Sequence, residues 1–343
     1  MRRNLIRNWL AIIALSILSL GLQVSKIKHE AKEQSSVLCA PLLSADDKEQ
    51  ISEALRLQTV LGDQIWPGFG QAKIPIILFN DRYEFLVCET NPPAPWAAVK
   101  DENFDGKPYY RRLADKPQAF AVPVGTRWAG SLNTLGEMNL KSPLKISREI
   151  HVVAMLHEMF HAYKAMQASA RFAKAMAVYA AESRYPSKEA EFAAAWNKEG
   201  SLLAIALRTT EEATVQNLVR QFLQARDDRR AKAVLSTDLF AYECELEWLE
   251  GLAKYVEIQF YELAAAKSAD PAFSNYIPNL PYWKWDFQRL ERRLGHQDGD
   301  LRFYLSGMAQ ARLLDRLSPG WKEAVIRSSA CLEDILRAAV RQR

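Results

Sequence analysis

Polar and apolar positions divide this chain into three stretches with different patterns. Trp9 to Val24 is apolar apart from two serines, a glutamine and a glycine, shows no helical stripe, and follows Arg2, Arg3 and Arg7. It is short for a membrane span, which needs about 20 residues, but has the length of a signal-peptide core. Residues 1–25 are therefore expected to be a signal peptide, with Ser19-Leu20-Gly21 as a cleavage site, or an uncleaved signal anchor. Either way the protein is expected to be exported to a periplasmic or other extracytoplasmic space, and to be held at the inner membrane by residues 9–24 if the segment stays. Residues 26–45 are polar and charged and are expected to form a tether.

The second stretch mixes short elements. Ile51, Leu55 and Leu57 predict a helix over 46–61. Ile74 to Phe79 is an apolar run of strand length. Asn80-Asp81 is placed to cap a short helix from Arg82 to Val87. The prolines of Asn91 to Pro95 predict a surface loop from Glu89 to Tyr109. Ala119 to Val124 and Trp128 to Leu132 read as strands, with Pro123 putting the first at an edge or bend. After Ser147 the periodicity is helical nearly to the C-terminus. Breaks fall at 185–187, 236–238, 271–281, 295–299 and 318–320. The expectation is an α+β, mostly helical domain over 46–343, with a small N-terminal sheet in an α/β lobe (46–146) and a helical lobe (147–343).

Composition adds limits. Apolar residues at 49% and charged residues at 25% describe a globular chain. The net charge of +4 owes most of its excess to the three N-terminal arginines, and no nucleic-acid motif occurs, so no nucleic-acid partner is expected. Cys39, Cys88, Cys244 and Cys331 allow one or two disulfides in an exported protein, or four separate buried thiols, and none of them forms a CxxC pair.

The seam between the two lobes holds the chemistry. His157-Glu158-Met159-Phe160-His161 fits the HExxH pattern of zinc hydrolases. Residues four apart on a helix are nearly in line, so both imidazoles can face one Zn²⁺ ion. Glu158 is placed to act as general base toward a water polarised by that metal. A third protein ligand is required, and two carboxylates compete. Glu182 lies about twenty residues after His161. Glu250 lies much farther on, beside Gly251 and Ala253, small residues that would let its helix approach the metal helix.

Glu250-Gly251-Leu252-Ala253-Lys254-Tyr255-Val256-Glu257 resembles the EGxAxYxE stretch of the gluzincin metallopeptidases, the aminopeptidase N and leukotriene A4 hydrolase group. The resemblance implies a zincin-like two-lobed catalytic domain, with Glu250 as third zinc ligand. Phe303-Tyr304-Leu305-Ser306-Gly307 is similar to the family's YxKG segment and implies that Tyr304 stabilises the oxyanion, a role worth about 10²–10³ in rate. The chain departs from the family in three ways. Residues 162 to 249 separate the second histidine from Glu250, a longer gap than the family keeps, and they must form a helical excursion that returns to the site. Ser306 stands where the family has Lys. Gly136 to Asn139 only echoes the amine-binding GxMEN strand.

The function expected is a zinc metallopeptidase acting on peptide or protein substrates. A zinc hydrolase of a non-peptide bond and a silent, membrane-anchored binding protein are the alternatives. Around the core set, Glu243 and Glu247 share a helical face with Glu250 and are either acceptors for a ligand histidine or solvated. His151 reads as structural and His296 as a loop residue. Tyr282, Trp283, Trp285 and Phe287 read as core or as cleft lining.

Overall fold

The computed structural model describes residues 42–101, 104, 106, 108–142, 145–278 and 281–341, with the side chains of Pro281 and Tyr282 left out. The expected signal segment and nearly all of the tether lie outside these residues. Among the described residues no helix is long and apolar enough to cross a membrane.

Helix α1 (Ala45–Ile65) starts where Ser44 accepts a hydrogen bond from the Asp47 amide at 3.0 Å, a side-chain N-cap. Its apolar stripe, Ile51, Ala54, Leu57, Leu61 and Ile65, is buried. Six strands come next: β1 (Ile76–Phe79), β2 (Tyr83–Val87), β3 (Ala97–Val99), β4 (Tyr109–Leu113), β5 (Phe120–Val124) and β6 (Arg127–Asn133). They form one mixed sheet in the order β3-β4-β2-β1-β6-β5. Among the described residues only β1 and β6 pair in parallel, with Ile76 opposite Gly130. β5 is an edge strand, as its Pro123 requires.

Two expectations fail here. Arg82 to Val87 is not a helix: Oδ1 of Asn80 accepts from the amides of both Arg82 and Tyr83 at 2.9 Å. That turn reverses the chain, and Tyr83–Val87 pairs antiparallel with β1. The local bonds of an Asn side chain suit a turn as well as a helix cap. The span from Glu89 to Tyr109 is also not wholly loop, because β3 lies inside it and pairs with β4. β3 is short and mostly exposed, so it carries no burial pattern to read.

Among the described residues the remainder is mainly helical: α2 (Leu135–Lys141), α3 (Arg148–Gln167), α4 (Ser169–Ala177), a 3₁₀ turn (Val178–Arg184), α5 (Ala190–Arg208), α6 (Glu212–Lys232), α7 (Thr237–Leu246), a π turn (Glu247–Gly251), α8 (Leu252–Ala266), a 3₁₀ turn (Pro271–Phe273), α9 (Pro281–Arg293), a 3₁₀ turn (Leu294–His296), α10 (Leu301–Leu317), α11 (Trp321–Arg327) and α12 (Leu332–Arg341). A mostly helical α+β chain with one small sheet is thus the observed class. Gly136 to Asn139 belongs to helix α2, not to a strand.

Helix α3 is central. Every residue from His151 to Ala165 is buried, because the helix packs on β6 along one side and on α8 and α1 along others. Gly130 permits this: a Cβ there would lie 2.6 Å from the Met159 amide nitrogen, so only glycine lets β6 run this close to α3.

The long excursion is α4 to α7. It is held by a buried ion cluster in which Arg226 meets Glu199, Glu247 and Glu333 at 2.7–2.9 Å. Arg229 meets Glu199 and Glu243, and Arg230 meets Glu243 and Glu333, at 2.5–2.7 Å. A disulfide joins Cys244 on α7 to Cys331 just before α12. Cys88 is exposed, and Cys39 lies outside the described residues.

Candidate metal centre

His157 and His161 project from one face of α3, and the excursion brings Glu250 to meet them. All three side chains are buried, and their ligand atoms lie within 4.8 Å of one another. Nε2 of His157 is 3.1 Å from Nε2 of His161. Oε2 of Glu250 is 3.2 Å from the second nitrogen and 3.8 Å from the first. Tetrahedral ligands about 2.0–2.1 Å from one ion stand about 3.3 Å apart. The three atoms therefore already outline the base of such a site. Glu182, the rival carboxylate, is half-buried on the 3₁₀ turn and is not part of the group.

The π turn explains how Glu250 gets there. On a regular α-helix Glu243, Glu247 and Glu250 would share one face. Here the extra residue in the turn rotates the chain beyond it, so Glu243 and Glu247 point into the arginine cluster while Glu250 points at the histidines. Such π insertions often mark functional sites. Glu243 and Glu247 are accordingly neither acceptors for a ligand histidine nor solvated.

That acceptor is Glu257. Its Oε2 lies 2.9 Å from Nδ1 of His157, and its Oε1 accepts from Lys254 at 2.9 Å. Lys254 is also 2.9 Å from Asp286 on α9. Glu257 was visible in the sequence as the residue two turns beyond Glu250, but nothing there said which histidine it served.

Gly251 acts differently from the expectation. Gly251 faces α10 and not α3: a Cβ on it would lie 2.5 Å from Cα of Gly307, and one on Gly307 would lie 2.6 Å from the Glu247 carbonyl oxygen. This glycine-to-glycine contact brings Tyr304 to the site, where its ring stacks on His157 with centroids 5.7 Å apart and planes at 15°. Ser306 donates to Oε1 of Glu247 at 2.5 Å. Tyr179 was missed in the sequence. Its hydroxyl is 3.2 Å from Oε1 of Glu250 and 2.9 Å from Oδ2 of Asp300, so it can donate to either.

Glu158 is fully buried, and neither carboxylate oxygen has a hydrogen-bond partner. Burial raises its pKa to about 8. An uncompensated buried carboxylate is costly, and a nearby cation would relieve it. Burial pushes His161 down to about 3, so it is neutral. Burial acts on His157 in the same direction, but the bonds to Glu250 and Glu257 outweigh it and hold that ring up to about 9. Glu250 is kept well below the ordinary carboxylate range: burial opposes this, and His161 and His157 prevail. Two imidazoles with one carboxylate are a donor set suited to zinc.

The remaining candidates lie elsewhere. His151 is buried, with Nδ1 2.5 Å from Gln50 Oε1 and Nε2 2.7 Å from the Asn133 carbonyl, which fits a structural role. His296 is exposed on a 3₁₀ turn. Trp283 packs on Tyr261, Phe287 borders the core and Trp285 is exposed. The chain matches no protein-family model, no curated protein and no solved structure.

Proposed function

We propose that this protein is a zinc-dependent metallopeptidase of zincin-like build, with His157, His161 and Glu250 as the protein ligands of one ion. The observation that carries this reading is the convergence of those three donors beside Glu158, a buried carboxylate with no other partner. A bound zinc ion would supply Lewis acidity, polarising a substrate carbonyl and lowering the pKa of water at an open position.

The protein's own groups would do the rest. Glu158, raised toward neutrality by burial, is suited both to accept a proton from the attacking water and to return it to the leaving amine. Tyr304 is held against His157, and burial first, then Glu250, keeps its hydroxyl protonated far above neutral pH. It can therefore donate to a developing oxyanion. Glu257 holds His157 with Nε2 toward Glu250. Export is part of the proposal and is supported by the Cys244–Cys331 disulfide, since such bonds persist in oxidising compartments.

The test is metal analysis of the purified protein together with hydrolysis of a panel of unstructured polypeptides. One equivalent of zinc and chelator-sensitive cleavage are expected. Full zinc with no peptide turnover would redirect the reading to a non-peptide bond, and absence of zinc binding would end it.

A further inference from the structure

Helix α3 carries one more charged side chain on its ligand face. Lys164 follows His161 by three residues and His157 by seven, so it lies on the same side of the helix. It is fully buried, a costly position for an ammonium unless its donors are used. Its Nζ donates to two main-chain carbonyls, those of Trp248 at 3.1 Å and of Leu249. The charge also lies over the rings of Phe160 at 5.3 Å and Trp248 at 5.0 Å, a favourable cation–π placement.

Both carbonyls belong to the π turn. Where a π turn passes into an α-helix the hydrogen-bond ladder slips by one residue, and a carbonyl at the slip has no N–H of its own helix in register. A buried carbonyl in that position needs another donor. Lys164 reaches it from the helix that bears both histidines.

We propose that Lys164 is a positioning residue for the metal site. Its ammonium supplies the donors that the π turn lacks, ties that turn to α3, and so sets the reach of Glu250 toward His157 and His161. If the turn relaxed to a regular α-helix, Glu250 would rotate by up to about 100° relative to the residues before it, toward the side of the arginine cluster. This inference rests on reading the three residues as a metal site.

The experiment is zinc affinity by chelator competition for the full protein, its K164M variant, and K48M as a control. Lys48 is another buried lysine, paired with Asp101 at 2.5 Å and on α1, away from the site. K164M should bind zinc about 10–100-fold more weakly, while K48M loses thermal stability and stays within about threefold of wild type. Equal affinity in K164M, or an equal loss in K48M, would overturn the proposal. Zinc binding absent from wild type would instead overturn the metal-site reading, and the inference with it. K164Q, uncharged and with a shorter reach than Lys, provides the check if K164M does not fold: its Co²⁺ absorption spectrum should shift from that of wild type, and an unchanged spectrum counts against the proposal.

Discussion

Oε2 of Glu257 lies 2.9 Å from Nδ1 of His157, which commits the other ring nitrogen to the face shared with Glu250. The same carboxylate is neutralised from behind by Lys254, so it can be buried without a proton of its own. Removing it should free the imidazole to rotate and lower its basicity. Glu257→Ala is expected to reduce zinc affinity about 10–100-fold, measured by competition with a chelator. Unchanged affinity would mean that packing alone orients His157.

Glu158 is buried on the helix of His157 and His161 but is not part of the group that could hold a metal ion. Glu158→Gln should keep stoichiometric zinc and lose hydrolysis by at least about 10²-fold, the low end for a positioned general base. Retention of full turnover at unchanged zinc content would remove Glu158 from the mechanism.

The two carboxylates that compete in the sequence are separated by geometry. Glu250→Ala should lower zinc content sharply, whereas Glu182→Ala should leave it near wild type, because Glu182 sits apart from the cluster. Elemental analysis of the two variants side by side decides the matter, and the reverse result would displace Glu250.

The contact between Gly251 and Gly307 leaves no room for a methyl group: a Cβ on Gly251 would sit 2.5 Å from Cα of Gly307. Gly251→Ala must push α10 away, costing about 2–3 kcal/mol in denaturant unfolding and moving Tyr304 off His157. Turnover should fall further than zinc affinity, since Tyr304 is not a ligand. Wild-type stability in this variant would contradict the close approach.

The buried ion cluster makes the fold acid-sensitive. Burial alone would raise Glu333, but Arg226 and Arg230 hold its pKa below the ordinary value of 4.5. The unfolded chain therefore takes up a proton first as pH falls. The contribution of Glu333 is fully present above about pH 4.5 and is lost as pH drops through its lower folded value. Glu333→Gln should be less stable at pH 7 and should show a shallower loss between pH 5 and 3, read from denaturant midpoints across that range. A curve parallel to wild type would place the acid sensitivity elsewhere.

Much of the site was legible because it is local. His157, Glu158 and His161 are brought together by helix geometry over five residues, and the stripe of α1, the Ser147 start of α3 and the edge placement of β5 obey equally short-range rules. The turn at Asn80 misleads for the same local reason: an Asx side chain caps helices and reverses strands with similar bonds, and only pairing with β1 selects the strand. β3 was invisible because an exposed three-residue edge strand leaves no hydrophobic pattern.

The sequence by itself determined that two imidazoles and a carboxylate lie on one buried helix, and that small residues and a glutamate recur in a distant segment. Tertiary structure alone decided the rest: that the chain returns after 88 residues to place Glu250, not Glu182, against the histidines, that Gly251 faces the Tyr304 helix and not the helix of the histidines, that Glu257 and Tyr179 bond to His157 and Glu250, and that Lys164 reaches the π turn. The reason is physical. Periodicity reports which side of an element is buried, whereas the partner across that face depends on how helices far apart in the chain pack. In this protein it also depends on one inserted residue, in the π turn at 247–251, that rotates Glu250 from one neighbour to another.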